Sequence, residues 1–138
     1  RRCGWVFSGL CDSEIGQNLP RLLRRRSEAT FTYWLTLNSH VPVEPDDAAA
    51  RLGCDDGGPL GHVEVCRMTE LWIDVMEAVA AAALNEHVGP LEVLIVGDHA
   101  PPMWSRRGRA LFTPGEVAWI RLSPKAGSSI PVARRSDP

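Results

Sequence analysis

Asp98 and His99 are the residues best suited to chemistry, and they stand in the stretch 91–102, LEVLIVGDHAPP. A carboxylate beside an imidazole offers an oxygen and a nitrogen ligand of the kinds that divalent metals take. The pair also has a plainer reading, in which Asp caps a turn and His is an ordinary polar residue at a strand end. A second stretch, FTYWLTLNS at 31–39, is rich in aromatic and β-branched residues and runs into His40, Val41 and Pro42. It too reads as a strand delivering a histidine into a Pro-bounded loop.

The elements that must position these residues follow from the apolar pattern. Val93, Leu94, Ile95 and Val96 form a short run entered from Gly89-Pro90 and left through Gly97. Such a run reads as a strand buried on both faces, as in a parallel sheet. Gly97 is expected to let the backbone turn where the strand ends. Asp98 and His99 then fall at the carboxyl edge of the sheet, where open α/β sheets keep their ligand sites.

Upstream, residues 5–10 are short and apolar. Asp12 and Ser13 are N-cap candidates for a helix carrying Ile15, Leu19, Leu22 and Leu23 at helical spacing. Pro20 lies inside that pattern, where the helix begins or kinks, and Arg24, Arg25 and Arg26 suit its last turn. Residues 41–60 read as a loop with at most one helical turn at 47–52. The clearest helix spans 62–85, with Met68, Leu71, Trp72, Val75, Met76 and Val79 as its apolar stripe and Ala80 to Ala83 allowing close packing. VAWIRL at 117–122 is a further strand. Trp34, Trp72 and Trp119 are expected in the core. Strands alternating with helices predict an α/β fold, a mostly parallel sheet with flanking helices. Three or four strands make a thin sheet, and an exposed strand edge predicts self-association. The expected organisation is one unit over 1–125 and a loose tail over 126–138.

Composition excludes several classes. The chain has 138 residues, 44% hydrophobic and 23% charged, with a formal net charge of −2. Such a balance gives no electrostatic case for nucleic acid. No apolar run approaches the ~20 residues that span a bilayer, and no signal peptide is visible. The chain opens on Arg1-Arg2-Cys3 with strand-like text directly after it, which suggests a piece of a longer protein. Cys3, Cys11, Cys54 and Cys66 form no CxxC pair, so a zinc ribbon has little support. Their even count and paired spacing favour two local disulfides, Cys3–Cys11 and Cys54–Cys66, and an oxidising compartment, over four free thiols. GxSxG, a Gly-rich phosphate loop and HExxH are all absent from the sequence, which leaves serine hydrolases, nucleotide binders and zincins unsupported. His62 and His87, near helix ends, read as capping or exposed residues rather than ligands.

Three stretches together resemble the alkaline-phosphatase/sulfatase superfamily. They are YWLTLNSHVP at 33–42, VLIVGDH at 93–99, and the pair Cys54 and Cys66 ahead of a long helix. The resemblance is closest to the membrane-anchored branch of phosphoethanolamine and phosphoglycerol transferases, and 112–124 resembles a strand near the end of that catalytic domain. It covers about residues 4–125 and implies the carboxyl-terminal part of an alkaline-phosphatase-like sandwich. Asp98 and His99 are then metal ligands for zinc or manganese, and His40 contacts the substrate phosphoryl group or a second metal. The implied substrate is a phosphate or sulfate ester, a lipid head group among the candidates. The implied setting is the periplasm or outer membrane face, with the parent protein anchored through a region outside this chain. The family's nucleophile matches nothing here, so this piece by itself is expected to be inactive. Arg106 and Arg107 stand where some transferases carry a further histidine. The competing expectation is a non-catalytic α/β domain with an interaction or structural role. An upstream strand ending in a nucleophile would favour the enzyme.

Overall fold

A computed structural model describes residues 1–24 and 28–125. The expected tail at 126–138 and the end of the Arg24–Arg26 run lie outside the described residues. The order of elements is β1 (Arg2–Cys3), β2 (Gly9–Leu10), α1 (Asp12–Leu22), α2 (Val63–Ala83), β3 (Val93–Val96), α3 (Arg106–Arg109) and β4 (Trp119–Leu122), with two 3-10 turns at Cys54–Asp56 and Gly58–Leu60.

Helix α2 holds the molecule together, and its sequence explains why. Val65, Met68 and Leu71 recur at spacings of three on the amino-terminal half, and Val79 and Ala82 continue the stripe on the other half. The first set packs with Val41, Val43 and Met103, and Ala48 and Phe112 lean on it. The second packs with Leu19 of α1 and is flanked by Leu23, Trp34, Val93 and Ile95. Small residues let α1 and α2 approach closely: a Cβ on Gly16 would stand 2.6 Å from the Ala78 Cβ. Helix α1 starts at Asp12 with Cys11 in the N-cap position, and Pro20 is accommodated inside it.

Two disulfides fasten the segments that regular structure does not. Cys3–Cys11 closes the β1–β2 hairpin onto the start of α1. Cys54–Cys66 ties the first 3-10 turn to α2. Gly57, Gly58 and Gly61 all take positive φ, which lets the chain reverse within a few residues around that bridge. Glu70, buried on α2, accepts the backbone N–H groups of Arg51 and Leu52, both at 2.7 Å. Arg51 in turn pairs with Asp74 and Glu77, so three carboxylates of one helix hold the 41–60 loop in place.

The mostly parallel sheet of an alkaline-phosphatase-like sandwich does not form. The described strands make two separate two-stranded sheets, both antiparallel. β3 pairs with β4, Val93 opposite Leu122 and Val96 opposite Trp119. The strand expected at 31–39 does not form either: that segment carries no strand. Its alternation persists, with Phe31, Tyr33, Leu35 and Leu37 exposed and Trp34 and Thr36 half-buried. Trp34 packs on the α1–α2 layer, against the same cluster that Val93 and Ile95 of β3 flank, but its segment makes no ladder with β3. A ladder needs backbone groups at hydrogen-bonding distance, which shared side-chain packing does not supply.

Other expectations shift with it. β3 is half-buried on one face and open on the other: Leu94 and Val96 are 65% and 59% exposed. Trp72 and Trp119 lie outside the core, Trp119 being 66% exposed. No helical turn forms at 47–52. Gly97 does not take positive φ, so the corner after β3 makes no demand for glycine.

Candidate functional site

β3 and its continuation carry Asp98 and His99 to an exposed corner. The Gly97 N–H donates to the Ala118 carbonyl at 3.0 Å, which extends the ladder one residue past β3. The chain then bends at Asp98 and His99 toward Pro101 and Pro102. Asp98 Oδ1 accepts the backbone N–H of His99 at 3.0 Å, the local side-chain-to-backbone bond that Asp makes at turns. The plain reading of Asp98 as a turn former is therefore satisfied by one of its oxygens, and the other remains available.

The imidazole is oriented in the same few residues. His99 Nδ1 lies 2.9 Å from the Ala100 carbonyl oxygen. A carbonyl only accepts, so Nδ1 carries a proton and Nε2 of the neutral ring presents its lone pair. That Nε2 stands 3.5 Å from Asp98 Oδ2. Fixing one ring nitrogen on a backbone carbonyl is how metal-ligating histidines are commonly held. Both side chains are largely open to solvent, 56% exposed for His99 and 78% for Asp98. His40 shows the same arrangement, with Nδ1 2.8 Å from the Val41 carbonyl and its ring edge-on to Phe7 at 4.8 Å between centroids.

Among the described residues no set of three or more His, Cys, Asp or Glu side chains converges as a metal cage. Asp98 and His99 are thus together, and His40 does not join them in such a set. Zinc and manganese bonds to these donors are about 2.0–2.2 Å, so an oxygen and a nitrogen 3.5 Å apart fit one ion between them. The donor set fits a divalent ion and supplies two of its ligands.

The His40 loop is held by a buried pair that the sequence did not announce. The Asp12 carboxylate accepts the N–H of Asn38 at 2.9 Å and of Leu37 at 3.1 Å, while Asn38 Oδ1 accepts the Asp12 N–H at 2.6 Å. Burial pushes the Asp12 carboxyl above its ordinary value, and the two backbone bonds only partly oppose it. The sequence marked Asp12 as a helix cap. Its partner two loops away is set by tertiary structure, and no local pattern signals it.

A second pairing the sequence missed joins His62 and Ser105, whose Nε2 and Oγ are 2.7 Å apart. His62 Nδ1 accepts the Val65 N–H at 3.4 Å, so the proton sits on Nε2 and points at Ser105. The imidazole is therefore a donor to this serine and not a base for it, which removes a Ser–His nucleophile. Arg109 donates to the carbonyls of Met103 and Trp104 and is structural. An open cleft of about 520 Å³ lies between α1, α2 and residues 47–51, and Asp98, His99 and His40 do not line it. Within it Arg51 is paired with Asp74 and Glu77.

No family model matches this sequence, and no curated protein or solved structure matches it either.

Proposed function

We propose that Asp98 and His99 are two ligands of a divalent-metal centre, zinc or manganese, in the carboxyl-terminal part of a metal-dependent phosphotransferase or hydrolase. The observation that carries this reading is the His99 ring, locked through Nδ1 on the Ala100 carbonyl with Nε2 turned to Asp98 Oδ2. The resemblance of 33–42 and 93–99 to the alkaline-phosphatase/sulfatase superfamily, and to its membrane-anchored phosphoethanolamine and phosphoglycerol transferases, supplies the reaction class. The substrate is then a phosphate or sulfate ester, with lipid head groups included. When bound, the ion polarises a phosphoryl or sulfuryl oxygen and lowers the pKa of a nucleophile. Asp98 keeps one oxygen in the turn and offers the other. The Ala100 carbonyl holds the His99 ring in the ligating tautomer. The Val41 carbonyl does the same for His40, whose Nε2 then presents a lone pair suited to a second metal ion.

The nucleophile has no match in this chain, so turnover requires residues beyond it. The two disulfides fit an oxidising, extracytoplasmic setting. No helix among the described residues is long and apolar enough to cross a membrane. A non-catalytic interaction domain is the second reading, favoured by the exposed apolar side chains of β3 and β4.

Calorimetric titration with zinc and with manganese tests the proposal. The chain should bind one ion, and Asp98→Ala and His99→Ala should each weaken binding at least about tenfold, the loss of one of two ligands. Binding that survives both substitutions unchanged would remove the site.

A further inference from the structure

We propose that β4 is the pairing edge for a second copy of this chain. Two β4 strands meet antiparallel about a two-fold axis through Ile120, and two β3–β4 ribbons become one four-stranded sheet. The ladder within one protomer fixes which backbone groups are free. One step beyond the Val96–Trp119 pair, Gly97 donates to the carbonyl of Ala118 opposite it. Hydrogen-bonded and non-hydrogen-bonded pairs alternate along an antiparallel ladder, so Ala118, Ile120 and Leu122 turn their N–H and C=O groups to β3. Trp119 and Arg121 turn theirs the other way. Among the described residues no strand lies on that side, and all four residues of β4 are exposed. β3 is the ribbon's inner strand, with Val93 and Ile95 leaning on the Leu19–Val79–Ala82 cluster.

The side chains of β4 complement those of another β4 in one register. A two-fold axis normal to the sheet keeps each face continuous across the join. With Ile120 opposite the partner's Ile120, Trp119 stands opposite the partner's Arg121, and the reverse. Both of these residues point their backbone groups at the free edge, so the two pairs close a ladder of N–H to carbonyl bonds. On one face each indole meets a guanidinium, a favourable cation–π pair. On the other face Ile120 meets its own copy and Leu122 meets Ala118, both apolar cross-strand pairs. A slip in one direction sets Arg121 against Arg121, and a slip in the other sets Trp119 against Trp119. Either loses both cation–π pairs, and the first opposes like charges. Arg121 is the single charged residue of β4 and is already paired with Glu92 of its own protomer. Joining two copies therefore brings together no unmatched charge. A four-residue edge covers far less than the ~1,600 Å² of a standard interface, so the dimer is weak, with a dissociation constant on the order of 100 μM. The pairing uses neither Asp98 nor His99, so it stands or falls apart from the metal reading.

Sedimentation velocity on the native chain between about 10 μM and about 1 mM, without added metal, should show a monomer passing to a dimer. Two substitutions at one exposed position then test the register. Trp119→Lys sets a lysine against the partner's Arg121 twice and should weaken the dimer at least about tenfold. Trp119→Glu sets a carboxylate there and should hold the dissociation constant within about threefold of the native value. Ile120→Cys gives an independent readout. The four native cysteines are all in disulfides, so the introduced thiol has only its own copy to pair with. Opposed residues of a non-hydrogen-bonded pair lie within disulfide reach, so oxidised glutathione should yield a covalent dimer, and Leu122→Cys should not. A native chain that stays monomeric throughout overturns the proposal and leaves the edge to a strand of another protein. Equal weakening by Trp119→Lys and Trp119→Glu also overturns it, since apolar clustering without register gives that result. A dimer that cross-links through position 122 and not 120 overturns it as well.

Discussion

At the residue scale, single atoms decide what each polar side chain does. Asp98 and His99 were legible as candidates because two chemistry-bearing residues follow an apolar run directly. Which ring nitrogen is free was not legible, because that depends on a carbonyl brought into place by the bend at Ala100. Asp12 makes the sharper prediction. Asp12→Ala leaves the N–H groups of Leu37 and Asn38 buried without an acceptor and should cost about 2 kcal/mol, read by urea unfolding. Its pH dependence has an unusual sign. The folded-state pKa is raised by burial, so the folded chain holds the proton more tightly than the unfolded one. Ionisation of Asp12 therefore weighs against folding above the raised value, and the penalty vanishes below about pH 3.9. The stability of the native chain relative to Asp12→Asn should thus rise as pH falls through that window. A difference that shrinks instead would show that the backbone bonds outweigh burial.

At the element scale, α2 was the most legible feature. Its length is legible over 62–85, and the helix runs Val63–Ala83; Met68, Leu71 and Val79 of the expected stripe are buried, while Trp72 and Met76 are exposed. The buried carboxylate within it was not, since Glu70 looks like an ordinary surface residue until Arg51 and Leu52 turn toward it. Glu70→Ala should cost about 2 kcal/mol and loosen the 41–60 loop, checked by exchange of the Arg51 and Leu52 amides. The α1–α2 contact depends on the absence of a side chain. Gly16→Ala puts a methyl 2.6 Å from Ala78 and should destabilise by about 1–3 kcal/mol, and Ala78→Gly in the same chain should restore most of it in thermal unfolding. Reduction or Cys-to-Ser replacement of the Cys54–Cys66 bridge, separated by 12 residues, should cost about 3 kcal/mol from chain entropy alone.

At the scale of the whole molecule, apolar surface stays open. Leu94 and Val96 of β3, Trp119, Ile120 and Leu122 of β4, and Phe31 and Tyr33 in the unpaired segment are all exposed. A two-stranded ribbon with a free edge and apolar side chains is a site for association. Leu94→Lys, at an exposed position, should raise the concentration at which light scattering still reports a monomer and leave the melting temperature within a few degrees. A native chain that stays monomeric at high concentration would count against the self-association expected from its strand edge.

The sequence by itself determined the two long helices, the cysteine pairing and the adjacency of Asp98 and His99 at the end of β3. Each of these depends on neighbours within one or two turns of chain: apolar periodicity, Gly-rich reversal around the cysteines, and adjacency of Asp98 and His99. Only the tertiary structure decided the sheet, the buried Asp12–Asn38 pair, the Glu70 anchor and the His62–Ser105 hydrogen bond. Strand direction and partner are properties of two segments, and an apolar run such as Val93–Val96 fits an antiparallel pair with β4 as well as a parallel neighbour. The 31–39 segment stays out of the ladder although Trp34 and β3 pack on the same cluster, and no pattern within that segment records it.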